Sequence, residues 1–590
     1  MSINTLKSLN FAARAASILV LALLASCATV KPAESTPKTP ATTEAASSQP
    51  EAPVEPTPDE YPVRPFTKDQ LYELLVAELA GYRGQYDRAL RSYLEVAKET
   101  GDPGVAARTT RLATYLKHER IALAAVKIWV KGEPDSVDAH RYAADLLMRE
   151  GDIKGAVANL AAIKRYGGDP DFPMFVYRAA GLSVAQRNIL ISEFGQLESE
   201  FPDDDDLRFS KAVLFEQNSQ FSEALAITNE LLARRSDPNV VVLKVDALKK
   251  LDRDKEALEL LDSSVRDMPD NRRLRLIYAR MLFENHRLPD ALKQYEKVRQ
   301  QSPTDGDVLF ALALISLEQK DYAAAHRYLD DMVRFHRRVG EAHFYLGTLA
   351  EQQNDLDTAL AEYKQVGDGY EFLPAQARIA AILFDKGEEQ NARQWLESAR
   401  QKYPDHYDQL IIVEAQLLSE RGMESEVFKF LNKAVAADPQ NTELLYFRAM
   451  TGERFGRLNI LERDLKTIIK QDPDNADALN ALGYTLTDQT DRHEEALKLI
   501  QRALQIKPNE PAYIDSLGWA MYRLKRYDKA VFELKKAYGL YPNDEVAAHL
   551  GEVLWVTGKK SEANKVWNDA LQRAPDSQVL KEVIHKFTGR

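Results

Sequence analysis

The chain has 590 residues, 45% of them hydrophobic and 28% charged, with one cysteine and a formal net charge of −12. One thiol in so long a chain excludes disulfides and cysteine-ligated metal centres, and its place outside any packed element excludes thiol catalysis as well. The acidic, mixed-charge balance disfavours nucleic acid and anionic lipid headgroups as principal partners, while the length is ample for a core held by apolar packing alone.

The first elements predicted in chain order are not part of that core. Residues 1–14 carry Lys7 and Arg14 and no acid, and an apolar run from Ala15 to Leu24 follows, then Ala25, Ser26 and Cys27. A basic start, a short apolar core and small residues before a cleavage point predict a secretory signal over residues 1–26, too short to span a bilayer comfortably. Leu24-Ala25-Ser26-Cys27 resembles the bacterial lipobox, which implies that Cys27 is acylated and becomes the mature N-terminus. Stable anchoring takes more than one acyl chain. Residue 28 is alanine rather than the aspartate that retains many such lipoproteins in the inner membrane, so the expected location is the periplasmic face of the outer membrane.

Residues 27–65, beginning at the lipidated cysteine, are rich in proline, threonine, serine and glutamate, and carry almost no large apolar residue before Tyr61. Such a composition cannot bury enough surface to offset the entropy of ordering, and it is predicted to be a disordered tether. In extended polyproline form, at about 3.1 Å per residue, it reaches on the order of 100 Å.

From Phe66 onward the composition is that of helices, and a repeat organises it. Pro404, Pro439, Pro473, Pro508, Pro542 and Pro575 are spaced 33 to 35 residues apart. Pro134, Pro170, Pro202, Pro238, Pro269 and Pro303 continue the ladder towards the N-terminus. An alanine stands twelve residues before many of these prolines: Ala257, Ala291, Ala392, Ala496, Ala530 and Ala563. Leu346-Gly347 and Ala359 mark the repeats that lack the proline. In residues 511–544, PAYIDSLGWAMYRLKRYDKAVFELKKAYGLYPND, Leu517-Gly518 falls in a first helix and Arg526-Tyr527-Asp528 opens a second. Pro542 stops the pair, and Asn543 or Asp544 is placed to cap the next helix.

This pattern resembles the tetratricopeptide repeat (TPR) over nearly the whole body. The fold class it implies is all-α, a superhelical solenoid of a dozen or more helix pairs, since one pair cannot bury its apolar faces alone. Residues 251–590 read as a regular array and residues 66–250 as a more degenerate one.

No phosphate-binding, dinucleotide-binding, HExxH or GxSxG motif interrupts the array, and no metal or cofactor is expected. His336 and His343, among ten scattered histidines, share one helix only if nothing breaks it, and Gly340 is the expected break. The run Asp203–Asp206 lacks the alternation and central glycine of a calcium loop, and is expected to start a helix, where the dipole favours acids. Glu494 and Glu495 are expected on an exposed helix face. An enzyme is not indicated.

The TPR resemblance implies a partner-binding groove lined by the first helix of each pair. Carried onto this chain, the groove positions are Asn480, Tyr484 and Thr487; then Asp515, Trp519, Tyr522 and Arg523; then Glu552 and Trp555. Large aromatics beside charges suit recognition, although Trp519 and Trp555 fit equally well between helices, and Trp567 on a second helix is expected inside. The two-carboxylate clamp for chaperone C-termini is absent, because the basic partners of the Asn480 position do not recur.

Lipobox, tether and an all-repeat body together resemble the periplasmic TPR lipoproteins that act as protease adaptors. That resemblance implies a scaffold that binds a carboxyl-terminal processing serine protease and presents peptidoglycan cross-link hydrolases to it for degradation. A structural scaffold for an outer-membrane exporter, secretin or wall-synthesis complex needs the same anchor and groove and stands as the alternative.

Overall fold

The computed structural model describes residues 66–589. Cys27, the signal expected over residues 1–26 and the tether expected over residues 27–65 lie outside the described residues. Among those described there are 31 α-helices and no strand, so the fold is all-α. None of these helices is long and apolar enough to cross a membrane.

The described chain divides between residues 303 and 304 into two compact units. The first holds seven helix pairs, from Lys68–Tyr82 with Tyr86–Thr100 to Arg272–Glu284 with Leu288–Gln301. The second holds eight pairs, from Gly306–Glu318 with Tyr322–Arg334 to Asp544–Val556 with Lys560–Arg573, and ends in the single helix Gln578–Thr588. Helix pairs extend through the region expected to be degenerate. Its irregularity is concentrated in the short helix Phe172–Arg178 and the 3-10 turn Ala179–Gly181.

Two local devices repeat along the sequence. Most first helices begin with an aspartate, asparagine or serine whose side chain accepts a hydrogen bond from a backbone N–H of the first turn, which would otherwise lack a partner. Asn475 accepts from the Ala478 amide at 2.9 Å and Asn543 from the Val546 amide at 2.8 Å. Asn543, not Asp544, is therefore the cap. Asp204 caps Asp205–Gln217 in the same way, with Asp205 and Asp206 in the first turn, so the acidic run is a helix start.

The turn into many second helices places a residue in the left-handed region two positions before the helix. It is glycine in some repeats (Gly456, Gly558) and Lys117, Asp252, Lys320 or Lys525 in others. The break between His336 and His343 also uses left-handed residues, here on the way into a first helix. His336 and Arg338 have φ of 53° and 46°, whereas Gly340 lies inside the helix Val339–Gln352. Gly340 is thus not the breaker. His343 instead pairs with Glu362 at 2.7 Å.

Within a pair, small residues allow the two backbones to close. Ala257, Ala291, Ala359, Ala392, Ala496, Ala530 and Ala563 are all fully buried, each near the start of a second helix. Val427 and Leu461 fill the matching place in two repeats. On the facing helix, a Cβ added at Gly518 would stand 2.6 Å from Leu534 Cγ, and one at Gly483 would stand 2.6 Å from Ile500 Cγ1. Glu494 and Glu495 are exposed, paired with Arg526 and Arg492.

Candidate partner-binding groove

In the second unit, four successive first helices turn one face each towards a common hollow. They are Thr442–Arg454, Ala476–Gln489, Pro511–Arg523 and Asp544–Val556. The hollow has a volume of about 680 Å³, within the usual range of ligand sites. Residues three and four apart share a helix face, so each helix contributes a short row: Tyr446, Met450 and Glu453; Asn480, Tyr484 and Asp488; Ala512, Asp515 and Ser516; Glu545 and Val546.

Of the residues expected in the groove, Asn480, Tyr484 and Asp515 line the hollow. Thr487 does not. It is completely buried, its hydroxyl donating to the Gly483 carbonyl one turn back at 2.9 Å, and Asp488 takes the inward position instead.

Trp519, Tyr522, Arg523, Glu552 and Trp555 form the packing that holds the walls. Trp519 is buried and donates its indole N–H to Asp488 at 3.3 Å, while Arg523 donates to the Asp488 carbonyl at 3.0 Å. Tyr522 donates to Glu552 at 3.1 Å, and Lys586 lies 3.3 Å from the same carboxylate. Trp555 stacks on the buried Trp567 at 5.7 Å and meets Phe587 of the last helix. Both tryptophans expected in the groove or the core are therefore packed between helices.

The residue that sequence reasoning missed is His549. Its Nδ1 lies 2.9 Å from Asp515 Oδ2, its Nε2 lies 3.5 Å from the Tyr484 hydroxyl, and its ring stacks on Trp519 at 4.3 Å. Burial opposes a charged imidazole there. Asp515, Glu545 and Asp488 outweigh it and raise the His549 pKa to about 9, so the ring carries a proton at neutral pH. Burial pushes the carboxyls of Glu453 and Glu545 above their ordinary range, and pushes the Tyr446 phenol up to about 12. Burial, and then the surrounding carboxylates, raises Tyr484 well above the usual phenol value.

The repeat register could have found His549. Positions 446, 480, 515 and 549 are spaced 34, 35 and 34 residues apart, and the two residues between its ends, Asn480 and Asp515, were already in view.

A different surface marks the first unit. Helix Lys68–Tyr82 leaves Leu71, Leu75, Leu79 and Tyr82 exposed at helical spacing, an apolar stripe with its own N-cap, Thr67.

Profiles of the tetratricopeptide repeat match residues 243–306, 282–346 and 462–511. Over 542 residues the chain is 39% identical to the TPR repeat-containing protein PA4667 of Pseudomonas aeruginosa, covering 91% of this chain and 92% of that protein. A match to the human protein O-mannosyl-transferase TMTC1 is 26% identical over 218 residues and spans 36% of this chain and 24% of that one. Among solved structures, yeast Tom70 covers 88% of this chain and 95% of its own at 13% identity, with a TM-score of 0.32.

Proposed function

The chain belongs to the tetratricopeptide-repeat family that includes PA4667 of Pseudomonas aeruginosa, whose repeats are scaffolds for protein–protein interaction, and on that premise we propose a lipid-anchored, non-catalytic adaptor of the periplasm. In this reading Cys27 is acylated and holds the protein at the periplasmic face of the outer membrane. The repeat body binds a carboxyl-terminal processing protease and presents peptidoglycan cross-link hydrolases to it.

The observation that carries the binding role is the hollow walled by four successive first helices, with aromatic and charged side chains converging on it. Support for a second contact comes from the apolar stripe on Lys68–Tyr82, since an adaptor needs more than one surface. The resemblance of the signal and tether to those of periplasmic TPR lipoproteins supports the location. An adaptor makes no bonds itself. It raises the effective concentration of one partner at the other, by orders of magnitude when geometry permits.

Affinity capture from detergent-solubilised membranes tests the assignment. Full-length protein is expected to retain both a processing protease and wall hydrolases, identified by mass spectrometry. Cys27→Ser is expected to abolish labelling by radioactive palmitate and to release the protein from the membrane fraction. Recovery of an oligomeric pore in place of the protease contradicts the adaptor assignment, and membrane retention of the Cys27→Ser protein contradicts the anchor.

A further inference from the structure

The hollow between the first helices of residues 442–556 is built to take positive charge. Glu453, Asp488, Glu510, Asp515 and Glu545 line it, against Arg454 in the lining and the protonated His549 behind Asp515. Two of its acceptors are idle. Asp515 is 5% exposed and uses Oδ2 on His549, leaving the buried Oδ1 with no hydrogen-bond partner. Asn480 Oδ1, across the hollow on the preceding repeat, is also buried and unpartnered. A carboxylate oxygen and an amide oxygen accept hydrogen bonds, so both atoms have capacity for a donor from a bound group. A buried acceptor left empty carries a desolvation cost that an incoming N–H removes.

The shape of the donor follows from the rest of the wall. Among the described residues no group of three or more histidine, cysteine, aspartate or glutamate side chains is placed to hold a metal ion, so the acceptors are too dispersed for a bare cation. The phenols of Tyr446 and Tyr484 and the thioether of Met450 bring polarisable side chains to the lining of the hollow. A guanidinium is planar, stacks on aromatic faces, is weakly hydrated and carries five donors in a fixed fork. An ammonium is a compact and strongly hydrated point charge.

We propose that this hollow docks an arginine side chain of the partner polypeptide, its guanidinium lying between Tyr446 and Tyr484 and donating to Asp515 Oδ1 and Asn480 Oδ1. This deepens, and rests on, the reading of the chain as a protein-binding scaffold. Burial of Glu453 and Glu545 raises their pKa in the empty hollow, and an arriving cation relieves that cost.

Titration of the full chain with the fluorescent blocked peptide Ala-Phe-Arg-Phe-Ala, and with its citrulline and lysine counterparts, tests the assignment. Citrulline keeps the shape and loses the charge. The arginine peptide is expected to bind about tenfold or more tightly than either counterpart. The double variant Glu453→Gln, Glu510→Gln, which leaves the groups around His549 untouched, is expected to lose about tenfold in arginine-peptide affinity with an unchanged melting temperature. Asp515→Asn also frees His549 and risks the fold, so the glutamine pair is the deciding variant.

Equal affinities for arginine and citrulline, equal affinities for arginine and lysine, no arginine binding, or full affinity in the double variant each overturn the proposal. If protein partners are still captured while the arginine peptide fails to bind, this inference falls alone. If the peptide binds and no protein partner is captured, the adaptor reading falls instead.

Discussion

A Cβ added at Gly551 would stand 1.9 Å from Trp567 Nε1, inside a pair of helices with no slack. Gly551→Ala is therefore expected to destabilise the last repeats by about 3 kcal/mol, the upper range for overpacking. Gly539, in the helix Tyr527–Leu540, has nothing within 4 Å of the same added atom, and Gly539→Ala is expected to stabilise by about 0.5 kcal/mol. Chemical denaturation of the two variants measures both signs. His549 supplies a pH dependence. It faces Asp515, Glu545, Asp488, the Tyr484 hydroxyl and the Trp519 ring, and its pKa in the fold is raised to about 9 from 6.5. A raised histidine stabilises fully below its unfolded value, and that contribution is lost as pH rises through the folded one. Thermal stability is expected to fall between pH 6.5 and 9, and His549→Gln to flatten that slope. The repeat register made Asn480, Tyr484 and Asp515 legible as groove residues. Thr487 does not line the hollow because its hydroxyl satisfies its own helix and it is buried in the packing, a choice that spacing does not reveal. His549 was overlooked because, beside Glu545 on its own helix, its charge is held mainly by Asp515 on the preceding repeat, with Asp488 on the one before.

Helix by helix, the sequence carries its own punctuation in small side chains and caps. The alanines that mark second helices and the asparagine or aspartate caps of first helices recur in register, so helix pairs were legible as far as the repeat stayed regular. The turns were less so. A left-handed residue is easy to anticipate at Gly558 and hidden at Lys525, where the side chain gives no sign of the backbone conformation. For the same reason the break before His343 fell at His336 and Arg338, while glycine at 340 continued the helix. The last helix, Gln578–Thr588, covers Trp555 and Trp567 with Phe587 and buries Leu580. Stacked repeats need such a cap for solubility. Deleting residues 578–590 is expected to uncover both indoles, shift their fluorescence to the red, and lower the melting temperature of the remaining chain. Unchanged fluorescence would show that the helix is dispensable.

At the scale of the whole molecule, each unit is a row of helix pairs that presents surfaces, which suits a protein that works by holding others together. The expectations of a signal, a tether and particular partners rest on composition and resemblance alone, because a partner is recognised by a surface and not by a local motif. The acidic hollow, walled by four first helices, and the apolar stripe on the single helix Lys68–Tyr82 are the candidate surfaces, one in each unit. An adaptor that bridges two proteins has a kinetic signature that an enzyme lacks: acceleration at low ratios and decline at excess, when each partner is held by a separate copy. The rate at which the purified processing protease cleaves a cross-link hydrolase, measured across a titration of the full chain, reads that signature directly. The account predicts acceleration on the order of tenfold or more near equal ratios, followed by decline. A rate that stays flat across the titration, or cleavage by the chain in the absence of the protease, would contradict it.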